Sequence, residues 1–143
     1  MKIKTVLWGL ATAALLVSCS GAKLSVANEQ YARGEFYDAA QTYRKVYSKT
    51  NPRKERKLRG EIAFKMAECY RRINMAPRSS AAYQNAIRYD YPDSMALFYL
   101  ARSQQYEGKY KEAIKNYQAY LETNPQRSLA KNGIRGCNLA QQW

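Results

Sequence analysis

The sequence predicts an all-α protein, a solenoid of three helix-turn-helix repeats closed by a C-terminal capping helix. Three observations carry this expectation. Apolar residues recur at helical spacing along most of the chain, and no alternating pattern marks a strand. The chain is interrupted at matching places: Gly34, Asn74 and Gly108 inside the repeats, and Pro52, Pro92 and Pro125 after them. The segments between these breaks also superimpose. Ala39, Ser79 and Ala113 hold a small position. Tyr43, Tyr83 and Tyr117 hold an aromatic position four residues on, and Val46, Ala86 and Tyr120 follow three later.

The clearest unit runs from Ser94 to Gln126 and resembles a tetratricopeptide (TPR) repeat, a helix-turn-helix of about 34 residues. Gly108 suits the tight turn between its helices, Ala113 permits close approach, and Tyr117 fills the gap to the neighbouring unit. Such a unit buries its apolar face only by stacking on others, so copies are required. Units two and three stand 34 residues apart, judged on Tyr83 and Tyr117, and units one and two stand 40 apart, judged on Tyr43 and Tyr83. The six extra residues fall between Asn51 and Lys57, as a longer linker or a longer leading helix.

Each element has its own signals. Gly21 to Asn28 leads into a first helix ending near Arg33. Glu35 to Lys49 forms the second, ended by Asn51-Pro52, because a residue before proline disfavours helix. A long helix spans about Arg53 to Ile73, with Ile62, Met66, Cys69, Tyr70 and Ile73 at helical spacing. Pro77 fits the first turn of the next helix, where a missing N–H matters little, and Ser79 to Tyr89 completes the unit. Tyr91 to Ser94 is a turn in which Asp93 or Ser94 caps the following helix. Asn74 replaces the turn glycine of unit two, since Asn tolerates left-handed geometry. After Pro125, Ser128 to Trp143 gives the closing helix. Gly133 and Gly136 weaken it, so close packing has to hold it.

The first residues have another character. Lys2 and Lys4 precede an apolar stretch, Val6 to Val17, too short to span a bilayer comfortably. It ends in Leu16-Val17-Ser18-Cys19, which resembles a bacterial lipobox. The resemblance implies cleavage before Cys19 and lipid attachment to that residue; an ordinary secretory signal is the alternative. The expected organisation is a signal peptide over 1–18, a lipid-anchored tether over 19–27 and the TPR domain over 28–143. Several acyl chains anchor firmly without spanning. Ser20 rather than Asp after the cysteine implies outer-membrane sorting, and the lack of a following acidic cluster favours the periplasmic face. Of the remaining cysteines, Cys69 and Cys137 occupy equivalent positions two units apart. Helices pack about 8–10 Å apart and a disulfide needs alpha carbons within about 7 Å. Both thiols are therefore expected free and buried.

The chain carries a formal net charge of +13, or +11 without Lys2 and Lys4. Export argues against a nucleic-acid partner and for envelope anions: lipid head groups, wall polymers or acidic protein faces. The densest run holds Arg53, Lys54, Arg56, Lys57 and Arg59, read as a basic patch or as a solvated helix start. Catalytic signals are missing. With no histidine, Ser-His and Cys-His nucleophiles and the commonest metal ligand are excluded. The cysteines lack metal spacing, and no glycine-rich phosphate loop occurs. No enzymatic activity, cofactor, metal or small-molecule substrate is expected.

The TPR resemblance implies a concave groove lined by the first helix of each unit. Carried over by position, it comprises Tyr31 in unit one, Phe64, Glu68, Arg71 and Arg72 in unit two, and Met95, Phe98, Arg102, Gln105 and Tyr106 in unit three, with Asn28 extending it. Arginines beside aromatics suit an acidic or C-terminal peptide segment. Chaperone-tail recognition of the carboxylate-clamp kind needs a Lys and an Asn where this chain has Phe64 and Glu68, so that mode is not expected. The lipobox, the repeats and the closing run Asn132 to Trp143 together resemble the N-terminal region of Bacteroidetes OmpA-family outer-membrane lipoproteins, such as the PorE-type component of the type IX secretion system. That resemblance implies an outer-membrane, periplasm-facing scaffold with envelope or secretion-system partners. Peptidoglycan binding would reside in domains outside this chain. A BamD-like assembly factor and a basic module for wall polymer or lipopolysaccharide are the alternatives.

Overall fold

The computed structural model describes residues 15–143, with side chains from Lys23 onward. The described residues form seven helices: α1 (Leu15–Ala32), α2 (Phe36–Lys49), α3 (Arg56–Arg72), α4 (Ala76–Arg88), α5 (Met95–Tyr106), α6 (Tyr110–Thr123) and α7 (Ser128–Ala140). Each packs against the next in sequence, and α7 also reaches α5. The architecture is the expected all-α repeat solenoid, with α1–α2, α3–α4 and α5–α6 as the units and α7 as the closing helix.

The turns repeat one device. Gly34, Asn74 and Gly108 all take left-handed backbone, with φ of 78°, 58° and 75°. In each turn the next amide reaches back to a carbonyl five residues earlier: Glu35 to Gln30, Met75 to Tyr70 and Lys109 to Gln104, each at 2.9 Å. This bond satisfies a carbonyl that the helix end leaves orphaned. Asp90, with φ 57°, does the same between units, placing the Tyr91 amide 3.0 Å from the Ala86 carbonyl. Asp, like Asn, enters this region at tolerable cost, although the sequence offered no glycine to announce the turn.

The repeat register is confirmed in the core. The small positions Ala39, Ser79 and Ala113 are fully buried, as are Tyr43 and Tyr83, while Tyr117 retains 2% exposure. Cys69 and Cys137 are free and buried. One apolar cluster fills units one and two, a second fills unit three and α7, and Tyr99 packs against both.

Three boundaries differ from expectation. The segment 19–27, expected as a tether, lies within α1; Ala27 is buried and Leu24 packs on the core, three residues apart on one helical face. Residues 1–14 of the expected signal peptide, and the side chain of Cys19, lie outside the described residues. Helix α3 starts at Arg56 rather than Arg53. The Asn51 side-chain oxygen accepts the amides of Arg53 and Lys54 at 2.9 and 3.0 Å, and the Glu55 carboxylate accepts the Asn51 amide at 2.5 Å. The extra residues are therefore held as a capped linker. Even so, α3 spans 17 residues against 12 for α5. The closing helix ends at Ala140.

The two glycines of α7 have separate reasons. A Cβ at Gly133 would lie 2.5 Å from Cζ and 2.6 Å from Cε2 of Tyr117, a clash with the ring. At Gly136 it would lie 3.2 Å from the Gln105 side-chain amide, a flexible neighbour. We therefore predict opposite outcomes. Gly133→Ala destabilises despite the better helix propensity, because overpacking costs about 1–3 kcal/mol against about 1 kcal/mol gained. Gly136→Ala is neutral or stabilising. Chemical denaturation of the two variants checks this; equal midpoints would refute the packing account.

Candidate functional site

The first helices α1, α3 and α5 share one repeat position, fifteen residues before each buried tyrosine, held by Asn28, Glu68 and Arg102. The hydroxyl of Tyr43 donates to Asn28 Oδ1 at 2.7 Å, and that of Tyr83 donates to the Glu68 carboxylate. The equivalent residue in unit three is Arg102, which has donors only. Tyr117 turns instead to Gln105 Oε1 at 2.9 Å. Its ring lies beside Gly133 of α7.

Glu68 is the most perturbed acid of the groove. It is 8% exposed. Arg71 grips it through both oxygens, Nε to Oε1 at 3.0 Å and Nη2 to Oε2 at 2.6 Å, and Tyr83 adds a third donor. Burial pushes its pKa up, but these hydrogen bonds and the charges of Arg71 and Arg72 outweigh burial and hold the carboxyl below its usual range. Burial, then the bond to Glu68, pushes the Tyr83 hydroxyl well up. Burial pushes the Cys69 thiol up to about 12, so it is no thiolate nucleophile at neutral pH. Among the described residues no three His, Cys, Asp or Glu side chains gather to hold a metal.

The groove residues separate into three kinds. Glu68 is an internal counter-ion and not a ligand contact. Phe98, 7% exposed, is core: Tyr99, Tyr117 and Tyr120 surround it at ring distances of 5.3, 5.8 and 5.4 Å. Phe64 is half-covered, stacked on Tyr91 at 4.3 Å. Met95 is partly buried and its sulfur accepts the Tyr120 hydroxyl at 3.4 Å, while Gln105 holds Tyr117. The remainder are accessible cations and aromatics. Arg72 lies over Phe36 at 5.0 Å and Tyr31 at 5.9 Å; Arg71 lies over Tyr99 at 4.3 Å. Arg102 donates to the Tyr106 hydroxyl at 3.2 Å, and Tyr106 is 69% exposed. Among the described residues neither Arg72 nor Arg102 has a carboxylate within ion-pair distance.

A cavity of about 310 Å³ opens between units two and three, lined by Arg71, Asn74, Ala76, Ser79, Ser103 and Tyr106. The sequence reading missed Tyr99 and Lys65. Each sits one residue beyond a position the resemblance supplied, and Lys65 approaches the Tyr31 ring at 5.7 Å.

The basic patch needs correction. Arg59 is not a surface charge: its Nη1 donates to the carbonyls of Tyr47 and Thr50 at 2.8 and 2.6 Å, and its guanidinium lies 3.9 Å from the Tyr47 ring centre. Arg56 pairs with Asp90 at 2.8 Å and donates to the Arg88 carbonyl at 2.6 Å. Both arginines fasten the linker and the inter-unit turn, because a long planar cation reaches several acceptors at once: Tyr47 and Thr50 for Arg59, Arg88 and Asp90 for Arg56. Arg53, Lys54 and Lys57 stay exposed, but Glu55 and Glu61 lie among them.

Residues 95–127 match the family model described as tetratricopeptide repeat, which takes in α5, α6 and the loop toward α7. Solved structures similar to nearly the whole chain are TPR domains and secretion chaperones. The second TPR domain of human RPAP3 in complex with an HSP70 peptide aligns at 16% identity and TM-score 0.68, covering 85% of this chain and 97% of that one. The first TPR of Spaghetti (RPAP3) bound to an HSP90 peptide aligns at 18% and 0.68, covering 87% and 94%. The Yersinia enterocolitica type III secretion chaperone SycD with a peptide of the translocator YopD aligns at 13% and 0.67, covering 87% and 95%. At these identities the likeness establishes the fold, a TPR-type helical solenoid. No curated protein matches the chain in sequence.

The Glu68 network yields a pH prediction. A carboxyl held below its unfolded value, about 4.3, contributes stability that is fully present above that value and is lost as pH falls through the folded value. Glu68→Gln should cost about 3 kcal/mol at neutral pH, the scale for removing one partner of a buried pair. It should also flatten the loss of stability as pH falls from neutral through about 4.3 and below. Denaturant midpoints across that range measure both; an unchanged acid slope would refute the assignment.

Proposed function

We propose that this chain is a protein-interaction module whose groove takes an acidic peptide segment of a partner. One observation carries the reading: Arg72 stands beside Phe36 and Tyr31, and Arg102 beside Tyr106, a residue that lines the cavity with Arg71, and among the described residues neither Arg72 nor Arg102 has a carboxylate partner. Guanidinium groups with stacked aromatics bind carboxylates through charge-assisted, directional bonds. The RPAP3 and SycD structures, with their bound peptides, support a peptide ligand. The clamp mode remains unsuited, since Phe64 is stacked on Tyr91 and Glu68 is consumed by Arg71 and Tyr83.

The cellular setting rests on the lipobox resemblance at Cys19. It makes the module a lipid-anchored scaffold on the periplasmic face of the outer membrane, in type IX secretion or envelope attachment as in the PorE-type proteins. The polyanion alternative is weakened by the internal engagement of Arg56 and Arg59. A BamD-like role gains no specific support.

Photo-crosslinking in cells tests the groove. A crosslinker placed at Tyr106 should trap a protein partner, and Arg72→Glu with Arg102→Glu should reduce that product at least tenfold, about 1.4 kcal/mol. A crosslinker at Lys54 should trap none. Trapping at Lys54 alone, insensitive to the groove charges, would overturn the reading. Loss of membrane association in Cys19→Ala would support the anchor.

A further inference from the structure

Units two and three are in register at 34 residues, so Phe64 corresponds to Phe98, Tyr83 to Tyr117, Ala86 to Tyr120 and Tyr91 to Pro125. In unit two Phe64 sits between two rings. Tyr83 meets it edge-on at 5.8 Å, and Tyr91, arriving from the loop after α4, stacks on it at 4.3 Å and 15°. In unit three Phe98 keeps its edge-on partner, Tyr117 at 5.8 Å. The stacked ring is replaced by Pro125. Tyr120 leans in at 5.4 Å without closing the space. A cavity of about 260 Å³ remains beside Met95, Phe98, Tyr120, Arg127 and Leu129. That is below the roughly 300–1,000 Å³ of small-molecule sites, and suits one large side chain.

The surroundings say how an occupant arrives. Leu129 is 70% exposed at the mouth and occupies the same repeat position as Met95, so the groove continues onto α7. On its other side α7 presents exposed Lys131, Arg135 and Asn138 where unit three buries or half-buries Leu97, Ala101 and Gln104. Another repeat helix would have to bury those charges, so the occupant comes along the groove and not by extension of the stack. Arg127 at the rim is exposed and, among the described residues, has no carboxylate partner.

We propose that this cavity is a socket for one aromatic side chain, Tyr or Phe, of an acidic partner segment, filled as Tyr91 fills its counterpart in unit two. The inference rests on the peptide-binding reading for the approach of the partner. The socket's own chemistry is the apolar, aromatic wall of Met95, Phe98, Tyr120 and Leu129, with the charge of Arg127 complementary to acidic flanks.

Two probes separate the socket from the groove. The first is a pair of fluorescent Glu/Gly decapeptides differing in one central Tyr or Ala, titrated against the full chain. The Tyr peptide should bind about tenfold tighter. Pro125→Tyr, which supplies an internal ring, should abolish that preference while leaving the thermal midpoint unchanged, and Leu129→Asp should weaken the Tyr peptide more than the Ala peptide. The second probe is N-acetyl-tyrosinamide, read by methyl shifts of Met95 and Leu129, with N-acetyl-alaninamide as control. If both peptides bind equally and tyrosinamide moves neither methyl, the socket is overturned and the acidic-peptide groove stands. If tyrosinamide shifts the methyls but neither peptide binds, the socket survives and the groove reading fails. If neither probe binds, both fail. Concentration-dependent dimerisation abolished by Trp143→Ala, with no peptide preference, would reassign the cavity to a second copy.

Discussion

The whole stack depends on a buried tyrosine hydroxyl finding an acceptor on the helix opposite. Tyr43, Tyr83 and Tyr117 wedge each helix pair together, and an aromatic side chain of this kind buries on the order of 200 Å². At about 25 cal/mol per Å² that is an upper bound near 5 kcal/mol apiece. An unsatisfied hydroxyl would cancel about 1–3 kcal/mol of it. Unit one supplies Asn28 and unit two supplies Glu68 at the same repeat position. Unit three carries Arg102 there and uses Gln105 instead. The Tyr117 ring lies against Gly133, where an added Cβ would come within 2.5 Å of its Cζ, so the seat of the last helix requires glycine there.

The strong positive charge of the chain is partitioned by the fold. Arg71 is paired with Glu68, Arg56 with Asp90, and Arg59 donates to the backbone carbonyls of Tyr47 and Thr50. These cations act as structural fasteners. What remains accessible is distributed unevenly. Arg72 and Arg102 lie beside rings in the groove, whereas Arg53, Lys54 and Lys57 lie among Glu55 and Glu61 on a mixed surface. Arg56 and Arg59 also lie over rings, so what sets Arg72 and Arg102 apart is the lack, among the described residues, of a carboxylate or carbonyl partner.

The closing helix treats its two sides differently. Against solvent it presents Lys131, Arg135 and Asn138, the polar outer face a terminal repeat requires. Toward the groove it keeps Leu129 exposed and Leu139 at 54% exposure, an apolar continuation. Gly133 and Gly136 let it settle close enough on Tyr117 and Gln105 to complete the second core cluster.

The architecture was legible in the sequence because it rests on local, repeated constraints. A left-handed turn needs Gly or Asn, so Gly34, Asn74 and Gly108 marked the helix pairs, and close approach needs a small residue, so Ala39, Ser79 and Ala113 marked the seams. The same register kept Cys69 and Cys137 apart. Where local chemistry gave no unusual residue, the detail was not legible: Asp90 turns without glycine, and α3 begins at Arg56, after the longer linker held by Asn51 and Glu55. The site was less legible than the fold. Position alone assigned Glu68, Phe98 and Arg59 to binding surfaces, yet tertiary packing buried Glu68 and Phe98 and turned Arg59 onto backbone carbonyls. Repeat periodicity specifies which face of a helix a residue occupies. Whether that residue stays available is decided by partners distant in sequence, such as Tyr83 for Glu68 and Tyr120 for Phe98, and those appear only when the chain is folded.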